Sequence, residues 1–264
     1  MRTSLAFFAA GFRRWSAYRT ATAAGAFTNS AFGLVKASIT IAAIGAAGGT
    51  LAGYDARAGS TYAWLSQAFI APVYVFGWDE LAQRVRTGDI AVDLARPVDL
   101  QTSWLAADLG RAAFSFLPRG IPPLLVGAAT FGLALPASVT PYVLGLVSLT
   151  LAVAVSFACR FALNLTAFWL LDVRGPVTLY VVASNILCGL VIPVHWFPPW
   201  LGTLAAATPF PSMLQAPVDV VSGRVLGVDA LQTVGIQALW LAATLLLGRL
   251  VLARATTRLV VQGG

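Results

Sequence analysis

Long apolar runs separated by short polar or Pro-rich stretches set the pattern of this chain. A helix that crosses a bilayer needs about 20 mostly apolar residues. Six runs approach or exceed that length: 27–53, 61–78, 117–135 (after a less apolar stretch from Trp104), 142–171, 177–194 and 231–252. The pattern therefore predicts an all-α, polytopic membrane fold of six transmembrane helices over one domain, 1–264. An even number of crossings puts both termini on one side. Ahead of the first run, Leu5, Phe8, Phe12 and Trp15 recur at helical spacing, with Arg2, Arg13 and Arg14 elsewhere on the wheel. This predicts an interfacial helix within 1–22, apolar side down, that ends or snorkels at Arg19. It reads as an anchor, or as an elbow that couples the first span to a cytosolic partner.

Composition supports the lipid solvent. The chain is 58% hydrophobic and 10% charged, against about 25% charged residues in soluble domains, and its mean hydropathy is +0.80. The basic pI near 10.1 is not a nucleic-acid signature, because the arginines flank the apolar runs instead of clustering. Arg2, Arg13, Arg14, Arg19, Arg84, Arg86, Arg96, Arg111, Arg174, Arg254 and Arg258 fall on the side of the termini, and only Arg57 and Arg224 on the other. This positive-inside bias predicts cytoplasmic termini in the cytoplasmic membrane. Arg13 and Arg14 interrupt the start too early for a cleavable signal.

Three segments hold candidate chemistry. Gly45, Gly49 and Gly53 recur every four residues in the first run, a spacing that allows close helix approach, within the chain or between subunits. The segment 79–103 opens with DELAQRVRTGDIAVDLARPVD, which has five acids and three arginines. Leu81 and Val85, then Ile90 and Leu94, are i,i+4 pairs about Gly88, and Pro97 ends the second piece. Two readings stand: a helix–turn–helix that docks a soluble protein, or a solvated loop whose apolar residues sink into headgroups. In the docking reading the four apolar residues enter a partner's groove while Arg86, Asp89 and Arg96 set the register. The segment 195–228 and its approach from Gly189 are rich in proline and aromatic residues, which predicts short helices dipping into the outer leaflet. The single histidine, His195, has no carboxylate near it in sequence and reads as an interfacial residue. Lys36 and Arg160 lie inside spans without an acidic partner well inside one; Asp108 and Asp172 sit at the boundary. Cys159 and Cys188 read as small buried hydrophobes. No G-x-x-x-x-G-K-[ST], H-E-x-x-H or G-x-S-x-G occurs, so neither ATP hydrolysis, metal chemistry nor covalent catalysis is expected of the chain itself.

Several segments together resemble the permease subunits of type-2 ABC transporters, an exporter group. RTGDIAVDLARPVD (86–99) is similar to that family's inner loop. Gly189, Ile192-Pro193, Phe197-Pro198-x-Trp200-Leu201, Pro209-Phe210, Pro217 and Gly223 are similar to its segment before the last span. The ending RLVVQGG (258–264) is similar to that of one branch. The resemblance implies pairing with a second permease, identical or homologous, and with two ATP-binding-cassette ATPase subunits that carry the ATP and Mg; no cofactor is implied on this chain. It implies that 79–99 is the coupling region, that 195–217 caps the pathway, and that spans one, two and five line it. Drug, natural-product or lipid-like cargo is compatible with the aromatic outer segment. A secondary carrier, a channel, or a membrane enzyme or scaffold are the alternatives to this reading.

Overall fold

The computed structural model describes residues 2–76, 79–170 and 172–257, apart from the side chain of Arg19. The expected snorkelling of Arg19, the span ends at Trp78 and Leu171, and the tail 258–264 with Arg258 lie outside the described residues. The described regular structure is helical: α1 Arg2–Ser16, α2 Arg19–Ala46, α3 Ala56–Val73, α4 Glu80–Thr87, α5 Ile90–Leu94, α6 Leu100–Thr130, α7 Thr140–Asn164, α8 Arg174–Leu187, α9 Pro199–Ala206, α10 Gln215–Val221 and α11 Gly227–Thr256, with 3-10 turns at Leu165–Phe168, Val194–Trp196 and Phe210–Ser212. The long helices alternate in direction. One end, called proximal here, carries α1, α4, α5 and the end of α11. The distal end carries residues 47–55, 131–139 and the outer part of 189–226.

Four helices are long and apolar enough to cross a membrane: Thr20–Ala46, Leu100–Thr130, Thr140–Phe168 and Gly227–Thr256. The expected second and fifth spans, α3 and α8, do not meet that standard. The reason differs for each. α8 has 14 residues, about 21 Å at 1.5 Å per residue. α3 is long enough but is encased by protein, with Gly59 through Ile70 buried along its length. A helix wrapped by other helices is free to carry Ser60, Thr61, Ser66 and Gln67, because lipid never touches them. The helices around it do present apolar side chains outward, including Phe27, Phe32 and Ile39 on α2 and Leu231, Leu239 and Leu250 on α11. That outward apolar surface is what a bilayer solvates.

The third expected span starts far earlier than its most apolar stretch. Asp99 caps α6 by accepting from the Thr102 amide at 2.8 Å. The helix then runs through Pro118, Pro122 and Pro123. Pro123 has no N–H for the carbonyl of Arg119, four residues back. Asn29 of α2 supplies the missing donor, its Nδ2 lying 3.2 Å from that carbonyl oxygen. Residues 100–103 of the expected segment 79–103 therefore belong to α6.

Glycines decide two close approaches. A Cβ on Gly11 of α1 would lie 2.0 Å from the carbonyl oxygen of Ala107, and one on Gly110 of α6 would lie 2.0 Å from that of Phe8. The α1 and α6 backbones thus touch at both glycines, which seats α1 on α6. The glycine stripe expected in the first span does not form. α2 ends at Ala46 because Gly48 and Gly49 take positive φ of 86° and 94°. Gly45 lies in its last turn facing open space, while Gly49 and Gly53 lie in the following turns. Ser60, just ahead of the apolar run 61–78, is fully buried in α3.

Candidate functional site

At the proximal end α4 and α5 form the expected pair of short helices, with Gly88 at φ 82° closing α4. Their faces are distributed differently from the docking expectation. Leu81 is 0% and Ile90 1% exposed, and both pack with Leu100, Phe157, Phe161 and Leu165; Val85 and Leu94 pack against the same cluster. Leu81 and Ile90 are therefore the module's own core, while Val85 and Leu94 pack against it and stay partly exposed. Burial of these side chains is the term that folds a five-residue and an eight-residue helix onto the bundle, since helices this short are unstable alone. The face left outward holds Arg86, Thr87, Gly88, Asp89, Val92, Arg96 and Pro97, and Val92, 59% exposed, is its apolar centre.

Polar contacts fasten the module to the long helices. Asp79 makes no side-chain cap for α4. Asn164, at the end of α7, does so from a distance: its Oδ1 accepts from the Ala82 amide at 3.0 Å, and its Nδ2 donates to the Arg160 carbonyl at 2.7 Å. Arg84 Nε lies 2.5 Å from Asp93 Oδ2, which ties α4 to α5. Arg14 of α1 reaches Glu80 at 2.9 Å, and that hydrogen bond raises the Arg14 pKa. In the loop before α8, hydrogen bonds from Arg174 hold the exposed Asp172 carboxyl down at about 2.

One turn deeper, Asp108, expected at the inner boundary, is the acidic partner of Arg160. Its carboxylate takes Arg111 Nε at 2.7 Å and Arg160 Nη2 at 2.9 Å. Arg111 also donates to the carbonyls of Ala71 and Pro72 at the end of α3, where Tyr74 caps the helix in the left-handed region at φ 61°. The Tyr74 ring stacks 4.7 Å from the Arg111 guanidinium. A single acid so joins α3, α6 and α7. A carboxylate engaged by two guanidinium groups is an internal strut.

At the distal end lies the segment 189–226, called the distal cap here. α8 stops at Leu187, and Gly189, at φ 87°, turns the chain. Tyr62 donates its hydroxyl to the Gly189 carbonyl. Lys36 Nζ donates to Ser66 Oγ and to the Leu190 carbonyl, both at 2.6 Å. Lys36 lies ten residues before the end of α2, about 15 Å below it, so the end of α8 stops well short of the distal surface. Pro193 and Phe197 flank the first 3-10 turn, and Pro198 precedes α9, which contains exposed Trp200. Pro209 and Phe210 begin the second 3-10 turn, Pro217 lies in α10, and Gly223 ends α10 at φ 72°. The chain returns inward at Ser212, whose carbonyl accepts from Gln237 Nε2 at 2.8 Å. Gln237 is ten residues into α11, again about 15 Å from its distal end.

His195 has a carboxylate after all: its Nε2 lies 2.8 Å from Asp219 Oδ2. Gln215 holds the other oxygen at 2.8 Å and accepts from the Val194 amide at 2.9 Å. Arg224 stacks 3.9 Å over the Tyr54 ring and donates to the Ala52 carbonyl at 2.7 Å. Burial, then the Asp219 charge, raises the Tyr54 pKa. The cap is thus locked to the loop between α2 and α3. Sequence reasoning missed Asp93, Asn164, Gln215, Asp219 and Gln237. Asn164, Gln215, Asp219 and Gln237 are sparse polar residues in apolar stretches, a usable signal but one that does not name its partner, and Asp93 is one of several charges in its segment. Among the described residues no three His, Cys, Asp or Glu side chains group as a metal site.

An all-helical chain with four helices long and apolar enough to cross a membrane is a multi-pass membrane protein. The family model described as ABC-2 family transporter protein matches residues 34–263, and the chain belongs to that family, which makes it a transport component, a permease. No curated protein sequence matches it.

Proposed function

We propose that this permease is the membrane subunit of an ATP-driven exporter in the cytoplasmic membrane, with the proximal end in the cytoplasm. The arginine bias toward that end supports the orientation. In this reading the chain crosses six times, through α2, α3, α6, α7, α8 and α11. α1 lies in the inner interface, and 195–228 is the outer re-entrant cap; the inward return at Ser212 supports this. Two ABC ATPase subunits bind beneath and hold the ATP and Mg, and a second permease, identical or homologous, completes the pathway. The cargo is amphipathic or hydrophobic: a drug, a natural product or a lipid-like molecule.

The observation that carries the reading is the proximal module. Its core faces the bundle, its tip at Arg86–Asp89 and Val92 faces solvent, and Asn164 and Asp93 brace it against α7 and itself. Force applied to such a tip moves the long helices instead of bending the loop. The tagged chain, expressed with its genomic neighbours and purified in mild detergent, should bring down an ABC ATPase and turn over ATP. A chain that purifies alone from cells containing that ATPase, with no effect on its turnover, sinks the proposal.

A further inference from the structure

Between α1, the segment 79–99 and the first three turns of α6 lies a cavity of about 420 Å³. Three carboxylates, Glu80, Asp93 and Asp108, line it together with Arg14, Arg84, Arg96 and Arg111. Arg160 stands behind Asp108 and shares it, so five guanidinium groups face three carboxylates. The acids are unevenly used. Asp108 is held by Arg111 and Arg160 at 2.7 and 2.9 Å, and Asp93 by Arg84 at 2.5 Å. Arg96 is left with a 3.6 Å contact to Asp93 and a side chain 55% exposed. Arg14 is 63% exposed and pairs with the partly exposed Glu80, a surface pair of little strength. Two exposed guanidinium groups therefore flank a cavity whose summed charge, with Arg14, Arg96 and Arg160 all counted, is positive. Trp15 and Trp104 stand in its wall, rings that favour headgroup depth.

The cavity is not the solvent-facing tip. On α4, Glu80 and Arg84 face the cavity, Leu81 and Val85 face the core, and Arg86 faces solvent. It is roofed by α1, which sits on α6 through Gly11 and Gly110. A basic, aromatic-walled cavity beneath an interfacial helix suits a phosphate on a lipid, and guanidinium forks match phosphate oxygens in geometry. We propose that this cavity binds the phosphate headgroup of an anionic phospholipid, with Arg14 and Arg96 closing on it. The inference rests on the interfacial placement of α1 proposed above, but not on ATP-driven transport.

Native mass spectrometry of the delipidated full chain, titrated with phosphatidylglycerol or phosphatidylcholine, tests it. The first phosphatidylglycerol should bind about tenfold tighter than phosphatidylcholine, a difference of about 1.4 kcal/mol. The double variant Arg14→Gln/Arg96→Gln should lose that preference. Arg14→Lys/Arg96→Lys keeps both charges and should retain most of it, which separates lost recognition from lost fold. Arg57→Gln, at the distal end, should change nothing. Equal binding of the two lipids by the wild type, or a preference that survives the double Gln variant, overturns the proposal. Displacement of the first lipid by millimolar inorganic phosphate overturns the lipid source and leaves a soluble-anion site. A double Gln variant that keeps its lipid preference but loses a protein partner assigns the cavity to that partner instead.

Discussion

Asp108 is the residue on which most of the proximal packing converges, because it neutralises Arg111 and Arg160 together. Removing one member of a buried charge cluster leaves the others without compensation, at about 3–5 kcal/mol. Asp108→Asn should therefore lower the thermal midpoint in detergent sharply. An unchanged midpoint shows that water reaches both arginines and replaces the carboxylate. At the distal end Asp219 holds His195 and Gln215 with one carboxylate. Asp219→Ala strips both bonds, while His195→Ala strips one. Because Gln215 is buried and a buried group left unsatisfied costs about 1–3 kcal/mol, hydrogen exchange at the Val194 amide should accelerate more in Asp219→Ala than in His195→Ala. Equal rates in both variants place the restraint elsewhere, with the Arg224–Tyr54 stack the next residue pair to change.

α4 and α5 carry the sharpest test at the level of elements, since their inner and outer faces have separable roles. Leu81 is wholly enclosed by the cluster around Phe157 and Phe161. Leu81→Ala should cost about 2–5 kcal/mol as a cavity in that core and lower thermal stability. Leu94→Asp belongs with it, because Leu94 packs on the same cluster. Val92 is outward and touches none of that core. Val92→Asp should leave the thermal midpoint alone and weaken ATPase co-purification by about tenfold, as expected when the apolar centre of an interface is replaced by a charge. If Val92→Asp binds the ATPase as wild type does, the tip is not the contact. The helix–turn–helix expected over 79–99 forms, and Leu81 and Ile90, one from each i,i+4 pair, lie on the face that packs against the bundle.

For the whole molecule the alternation of long helices makes one prediction about sidedness. With Cys159 and Cys188 replaced, single cysteines at Thr50, Ser138 and Asp229 should react with an impermeant thiol reagent in intact cells, because all three are exposed at the distal end. A cysteine at Thr87, exposed at the proximal end, should react only after lysis. Labelling of Thr87→Cys in intact cells inverts the orientation and with it the cytoplasmic placement of the coupling tip.

Much of this architecture is written in the chain itself. The scarcity of charge, the apolar runs and the arginine bias specify a multi-pass helical membrane protein, and the order of Gly, Asp and Arg-Pro in 86–99 with the Pro-aromatic segment after Gly189 carries the family. Periodicity reports which residues avoid water; it does not say whether lipid or protein covers them. That is why α3, encased by other helices, looks like a poor span, and why Leu81 and Ile90 read as docking knobs when they are core. Nor does spacing along a chain reveal partners. Asp108 and Arg160 are 52 residues apart, His195 and Asp219 are 24, and Asn164 and Ala82 are 82. Helix contact is likewise set by backbone proximity, so Gly11 and Gly110 pack where the regular spacing of Gly45, Gly49 and Gly53 does not. Only the tertiary structure, by bringing distant helices within hydrogen-bond reach, decides which lone polar residues become struts and which small residues become contacts.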